Sequence, residues 1–199
     1  MTDAPDSSST PYLQTIFLDR DGVLNQKMPE GRWVTSRAEF QVLPGVPEAI
    51  GRLNRAGVRV IVVSNQRGIA LGRLSDADVN DIHAGFQTIL QAQGAHVDAF
   101  YYCPHDKGQC GCRKPLTGMF DQARHDFPAI SAATSAMIGD SLPDIEFGRR
   151  LGMLTIFIEG DPAMQKPGAL SAAGLADLRF PSLAAAVDAL TPRLAAHNP

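Results

Sequence analysis

The chain reads as an α/β protein: a mainly parallel sheet, doubly wound, with helices on both faces. Two patterns carry this reading. Short apolar, β-branched runs alternate with stretches of helical period along the chain, the signature of βαβ units. Polar groups fit for chemistry stand directly after several of those runs, and the carboxyl ends of parallel strands are where open α/β sheets gather ligands. A length of 199 residues suits one domain with a substantial core.

Residues 1–11 hold Ser, Thr, Asp and Pro with no apolar stretch; they are expected to be a disordered tail and not a secretory signal. Residues 12–199 are expected to form the single domain, with no repeat or internal linker. The first strand covers 15–18. Residues 47–56 read as a helix, since Pro47 suits a first turn and Gly57 a C-terminal stop. Residues 58–63, Val-Arg-Val-Ile-Val-Val, make the clearest strand. Ser75 with Asp78 three residues on caps a helix reaching about 93 and ended by Gly94; Ile82, Phe86, Ile89 and Leu90 give it an apolar face.

Residues 97–102 form a third strand, and 117–127 a helix broken by Pro128. A fourth strand at 136–138 runs into Gly139 and Asp140, followed by a helix over 143–151 stopped by Gly152. Residues 154–158 are a fifth strand and 177–180 an edge strand; Ser182 caps a last helix through about 190. The Gly, Pro and Ala stretch over 160–174 reads as a surface connection with some helix.

Composition excludes several classes. A net charge of −3 gives no overall basic field for nucleic acid or an anionic membrane surface. No apolar run approaches the roughly 20 residues of a membrane span. A cytoplasmic monomer acting on a small molecule, without nucleic-acid or membrane partner, is expected. An anionic substrate then needs a local cluster of Lys and Arg.

That cluster is present. Asp19 and Asp21 leave the first strand two residues apart, poised around a hard cation, and Gly22 lets the backbone turn away. Ser64, Asn65, Gln66 and Arg67 follow the second strand. Arg113 and Lys114 come after the third, and Asp140 and Asp144 after the fourth. D-x-D-G-x-[LTV]-N and the three later groups, in this order over about residues 15–158, resemble the four motifs of the haloacid-dehalogenase (HAD) superfamily of phosphohydrolases. The resemblance implies a Rossmann-like HAD fold and names Asp19 as nucleophile toward phosphorus and Asp21 as acid/base. A phosphate dianion repels a carboxylate, so positive charge must offset it. Mg²⁺, preferring oxygen, is assigned the Asp19 and Asp140 carboxylates and the Asp21 carbonyl. Ser64 and Lys114 are expected to hold the equatorial phosphoryl oxygens, with Asn65, Gln66, Arg67 and Arg113 contacting substrate. Asp144 is read as a positioner of Lys114 or of a metal-bound water, or as a plain first-turn helix acid.

A second constellation lies between the third strand and Lys114. Cys103 and His105 form C-x-H, and Cys110 and Cys112 form C-x-C. Three thiols and an imidazole suit Zn²⁺ in a closed, structural site that orders a loop poor in apolar residues. C-P-H followed by C-x-C-R-K-P looks like the zinc-bearing HAD branch of heptose 1,7-bisphosphate phosphatases and histidinol-phosphate phosphatases. This chain departs from that branch in having only four residues between His105 and Cys110, and Ser141 after Asp140.

Residues 25–40 are too few for a large cap and form a loop or small flap carrying Lys27, Arg32 and Trp33. These three are expected to close over a sugar phosphate, the alternative for Trp33 being a hydrophobic anchor of the loop. Arg73 is a further candidate contact, and His83, His96, His125 and His197 read as surface or helix residues. The expected activity is Mg²⁺-dependent hydrolysis of a sugar phosphate, with a heptose 1,7-bisphosphate losing its C7 phosphate favoured by the basic cluster. Histidinol phosphate is the alternative substrate; a nucleic-acid-end phosphatase and a non-catalytic phosphate-binding protein are weaker rivals.

Overall fold

The computed structural model describes residues 12–165 and 167–194, so the expected N-terminal tail and His197 lie outside the described residues. The elements in order are β1 (Thr15–Leu18), α1 (Val46–Arg55), β2 (Arg59–Asn65), α2 (Asp76–Gln91), β3 (Ala99–Cys103) and α3 (Gly118–Asp126). Then follow β4 (Ser135–Gly139), α4 (Leu142–Leu151), β5 (Leu154–Ile158), α5 (Ala169–Leu175), β6 (Leu178–Phe180) and α6 (Leu183–Leu190). The helix expected within 160–174 is α5. Between β1 and α1 the described chain forms loops and one 3-10 turn at Arg37–Glu39, with no cap domain.

The six strands form one sheet in the order β3-β2-β1-β4-β5-β6, and every pair is parallel. Strands progress outward in both directions from the β1–β4 pair. The crevice beyond their carboxyl ends is therefore the topological switch point, where this architecture leaves room for a ligand. Register aligns the tips: Leu18 lies beside Val62 on one side and Ile138 on the other. Asp19 emerges at that level and donates its N–H to Ile138 O at 2.9 Å.

Side chains of β1 alternate between two cores. Ile16 and Leu18 join Ile50 of α1, Ile82 and Phe86 of α2, and Val187 of α6. Phe17 faces the other way, packing with Met119 and Phe120 of α3 and Phe147 of α4. Both faces of the central strands are thus covered, which explains their continuous apolar character. Two helix starts match the polar signals in the sequence. Ser75 and Asp78 form a reciprocal capping box on α2, and Ser182 Oγ accepts from Ala185 N at the start of α6.

Phe17 has no exposed surface, and its ring centroid lies 5.7 Å from that of Phe120. Phe17→Ala should destabilise the protein by about 3–5 kcal/mol, through lost transfer energy and a cavity under β1. Urea unfolding followed by circular dichroism checks this; a midpoint equal to wild type would contradict it.

Candidate active site

Charge crowds at the tips of β1, β2 and β4. Asp19 is 8% exposed, Asp140 6% and Asp144 1%. Each can offer one carboxylate oxygen within 4.8 Å of the others. Lys114 is the cation among them. Its Nζ lies 2.8 Å from Asp19 Oδ1 and 2.6 Å from Asp144 Oδ1, and it donates to Val63 O at 2.6 Å. Burial would lower the Lys114 pKa, but Asp144 and Asp19 outweigh it, so the ammonium stays charged. Asp19 is pushed up, chiefly by burial and by Asp144 and Asp21, against the pull of Lys114.

Asp144 has no oxygen to spare. Oδ1 faces Lys114, and Oδ2 accepts from Ser141 N at 3.0 Å and Ser141 Oγ at 2.5 Å. Its position is that of a support for Lys114. Gly139 makes room for it, since a Cβ there would stand 2.2 Å from Asp144 Cβ.

Asp140 has the opposite character. Oδ1 is buried with no hydrogen-bond partner among the described residues. Oδ2 is paired with the ammonium of Lys27, a residue of the flap that the sequence marked only as a possible lid. Burial pushes the Asp140 carboxyl up to about 7, with Lys27 opposing and Asp19 and Asp144 adding. Gly22, at φ 98°, passes so close that a Cβ would meet Asp140 Oδ2. A buried oxygen without a partner, in an all-carboxylate donor set, suits a hard divalent cation.

Asp21 is held differently, as an anion ringed by donors. Arg20 donates to it from Nε and Nη2, Asn25 from Nδ2 at 3.0 Å, and Gln66 from Nε2 at 3.2 Å. Burial would raise the Asp21 pKa; Arg20, Asn25 and Gln66 outweigh it and keep it below the usual carboxylate range. Gln66 also donates to Ser64 Oγ at 2.7 Å, linking the tips of β1 and β2. Arg20 is 1% exposed and was not among the sequence candidates. Its position between two aspartates after an apolar strand was the available signal.

The remaining candidates sit around the cysteine loop. Asn65 accepts from Lys114 N at 3.0 Å and donates to Lys114 O at 3.1 Å, so its amide fixes the backbone of the buried lysine. Arg67 makes a two-point ion pair with Asp106 of the loop, at 2.5 and 3.2 Å. Arg113 is half-buried, and its Nη1 has no partner among the described residues. Trp33 packs on the loop after β2: a Cβ on Gly68 would lie 2.9 Å from its Cδ1. His83 lies on α2 but is buried, stacked on Phe100 at 4.5 Å.

Cys103, His105, Cys110 and Cys112 bring their ligand atoms within 4.8 Å of one another. The Cys103–Cys110 sulfurs are 3.4 Å apart, and His105 Nδ1 is 3.7 Å from Cys103 Sγ and 3.4 Å from Cys112 Sγ. Two thiolates sharing a tetrahedral ion are about 3.8 Å apart, so the cluster is close to the size Zn²⁺ requires. The short His105–Cys110 spacing does not prevent convergence.

The chain is similar to several known phosphatases. The family described as polynucleotide kinase 3 phosphatase matches residues 14–152. The D-glycero-alpha-D-manno-heptose-1,7-bisphosphate 7-phosphatase of Mycobacterium bovis is 36% identical over 169 residues, covering 84% of this chain and 86% of the relative. The D-glycero-beta-D-manno-heptose-1,7-bisphosphate 7-phosphatase of Rhodopseudomonas palustris is 34% identical, covering 78% and 88%. The crystal structure of D,D-heptose 1,7-bisphosphate phosphatase from B. bronchiseptica, complexed with magnesium and phosphate, superposes with a TM-score of 0.80 at 33% identity, covering 90% of this chain and 99% of that one.

Fold and relatives together define a phosphoric monoester hydrolase of the HAD class. Within that class the chain belongs to the phosphatase family whose curated members include the heptose-1,7-bisphosphate 7-phosphatases.

The Asn65–Lys114 tie has a direct test. Asn65→Ala strands a backbone donor and acceptor beside the site, an expected loss of about 1–3 kcal/mol. Denaturant unfolding measures it, and unchanged stability would mean that the tie contributes nothing.

Proposed function

We propose that this protein hydrolyses a sugar phosphate monoester through an aspartyl-phosphate on Asp19, and that its substrate is D-glycero-D-manno-heptose 1,7-bisphosphate, which loses its C7 phosphate. The observation that carries the chemistry is the buried Lys114 ammonium between Asp19 and Asp144. The names of the curated relatives support the substrate.

In this reading Asp19 and Asp140, with the Asp21 carbonyl, hold Mg²⁺; the partnerless Asp140 oxygen is the feature that fits it. The bound ion supplies positive charge against which a phosphate dianion can approach a carboxylate. Lys114 and the Ser64 hydroxyl hold the phosphoryl oxygens, where transition-state charge spreads. An Asp19 oxygen attacks phosphorus as the bond to the sugar oxygen breaks, and Asp21, entering this step protonated, gives that oxygen its proton and is left as carboxylate. Asp21 then takes a proton from the water that attacks the same phosphorus, and Asp19 leaves as carboxylate. Asp144 positions Lys114. Gln66 orients Ser64.

Cys103, His105, Cys110 and Cys112 hold Zn²⁺ as a structural ion. Its purpose is mechanical: the loop it orders leads directly to Arg113 and Lys114. Arg67 braces that loop through Asp106, which leaves Arg113, with its partnerless nitrogen, as the better candidate for the phosphate that is not cleaved. The protein acts as a cytoplasmic monomer on this small molecule, without nucleic-acid or membrane partner. No helix among the described residues is long and apolar enough to cross a membrane.

Three outcomes follow. Asp19→Asn should abolish turnover with the fold intact, since an amide cannot form the acyl phosphate; substantial phosphate release by this variant rejects the nucleophile. Zinc should copurify at about one per chain, and elemental analysis without zinc in chelator-free protein rejects the metal loop. Wild type should prefer the heptose bisphosphate over the matching monophosphate. Arg113→Ala should erase that preference by about tenfold to a hundredfold, the equivalent of about 1.5–3 kcal/mol. Equal losses on a small generic ester would assign Arg113 to the chemical step or the fold, and a wild-type preference for histidinol phosphate would replace the substrate.

A further inference from the structure

Arg20 is among the largest fully buried side chains of the molecule, at 1% exposure. A guanidinium so deep is expensive to desolvate and requires a specific partner. Its ion pair among the described residues is with Asp21, the carboxylate beside it in sequence. Nη2 lies 3.0 Å from Oδ1 and 2.9 Å from Oδ2, and Nε lies 3.2 Å from Oδ1. The fork is held from behind by the Phe40 ring, 5.9 Å from its carbon. The Asp21 side chain keeps 26% exposure, so the guanidinium end of the pair is sealed and the carboxylate end is open.

Among the described residues the Asp21 carboxylate accepts hydrogen bonds from Arg20, from Asn25 at 3.0 Å and from Gln66 at 3.2 Å. Arg20, Asn25 and Gln66 thus fix the orientation of the carboxylate. Both proton transfers of Asp21, to the departing sugar oxygen and later from water, depend on that orientation.

We propose that Arg20 is the positioning residue for both proton transfers of Asp21, acting through its two-point grip on that carboxylate and touching neither substrate nor phosphate. The proposal rests on the phosphatase reading above. It separates Arg20 from Lys114, a second buried cation, which serves the phosphoryl group. A role confined to the fold would affect every substrate and every step alike.

Leaving-group dependence distinguishes the two roles. 4-Nitrophenolate departs without a proton; a sugar alkoxide does not. Arg20→Lys keeps the charge but loses the fork. In this variant the rate of the first nitrophenolate burst should stay within about twofold of wild type, while turnover of a sugar phosphate falls by about tenfold or more. Steady-state release from 4-nitrophenyl phosphate should fall as well, because water still needs its base, so the burst becomes more pronounced. In an Asp21→Asn background, Arg20→Lys should add no more than about a twofold loss, as expected when one residue acts through the other.

If Arg20→Lys does not fold, Asn25→Ala removes another donor to Asp21 with the guanidinium in place and should show the same split at smaller size. A burst rate that falls in parallel with sugar-phosphate turnover, or losses that multiply in the Asp21→Asn background, would overturn the proposal while leaving the phosphatase reading intact. A wild-type protein that releases phosphate from neither ester would overturn both.

Discussion

The buried ammonium of Lys114 is the contact on which the catalytic architecture depends. Three carboxylates converge here, Asp19 after β1, Asp140 after β4 and Asp144 in the first turn of α4, and negative charge buried this closely needs a cation. Lys114 binds two of the three and anchors itself on Val63 O. The third, Asp140, remains with a bare oxygen and with Lys27 as its cationic neighbour. Parallel pairing supplies part of this convergence, because register brings the ends of β1, β2 and β4 to one level. The site is thus a charge balance built on the sheet and completed by α4 and a loop.

Lys114 does not come from a strand or a helix. It belongs to the segment between β3 and α3, which regular structure does not hold. Its support is assembled from other sources. Asn65 clamps its backbone, Gln66 N donates to Cys103 O at 2.8 Å, and Arg67 grips Asp106. Four soft and imidazole ligands gather within the same loop. In our reading the zinc ion completes this support, and its effect on catalysis passes through the position of Lys114. Gly118 packs directly on the loop, where a Cβ would lie 2.7 Å from Gly111 O, so the start of α3 is part of the same unit.

Much of this was legible in the sequence, for identifiable reasons. Strand tips were visible because apolar runs end abruptly in Asp19, Ser64 and Asp140, and β1 and β5 match the expected ranges. The cysteine cluster was visible because its ligands are close in the chain. What escaped depends on long-range packing. Arg20 reads as an ordinary charged residue, and only the folded structure shows its depth and its pairing with Asp21. His83 sits at the edge of an apolar helix face, where sequence does not say whether α2 buries it; Phe100 decides that. Arg67 and Lys27 were read as substrate groups, yet both hold ion pairs with carboxylates 39 and more than a hundred positions away, a pairing that no local pattern encodes.

In our reading Asp19, held by Lys114, forms a covalent bond to phosphorus. The most direct measurement is the stereochemical course at phosphorus, using a substrate whose transferred phosphoryl group is made chiral with oxygen isotopes. Two successive in-line displacements, first by Asp19 and then by water, predict overall retention of configuration. Inversion would mean that water attacks the ester directly and would contradict the account.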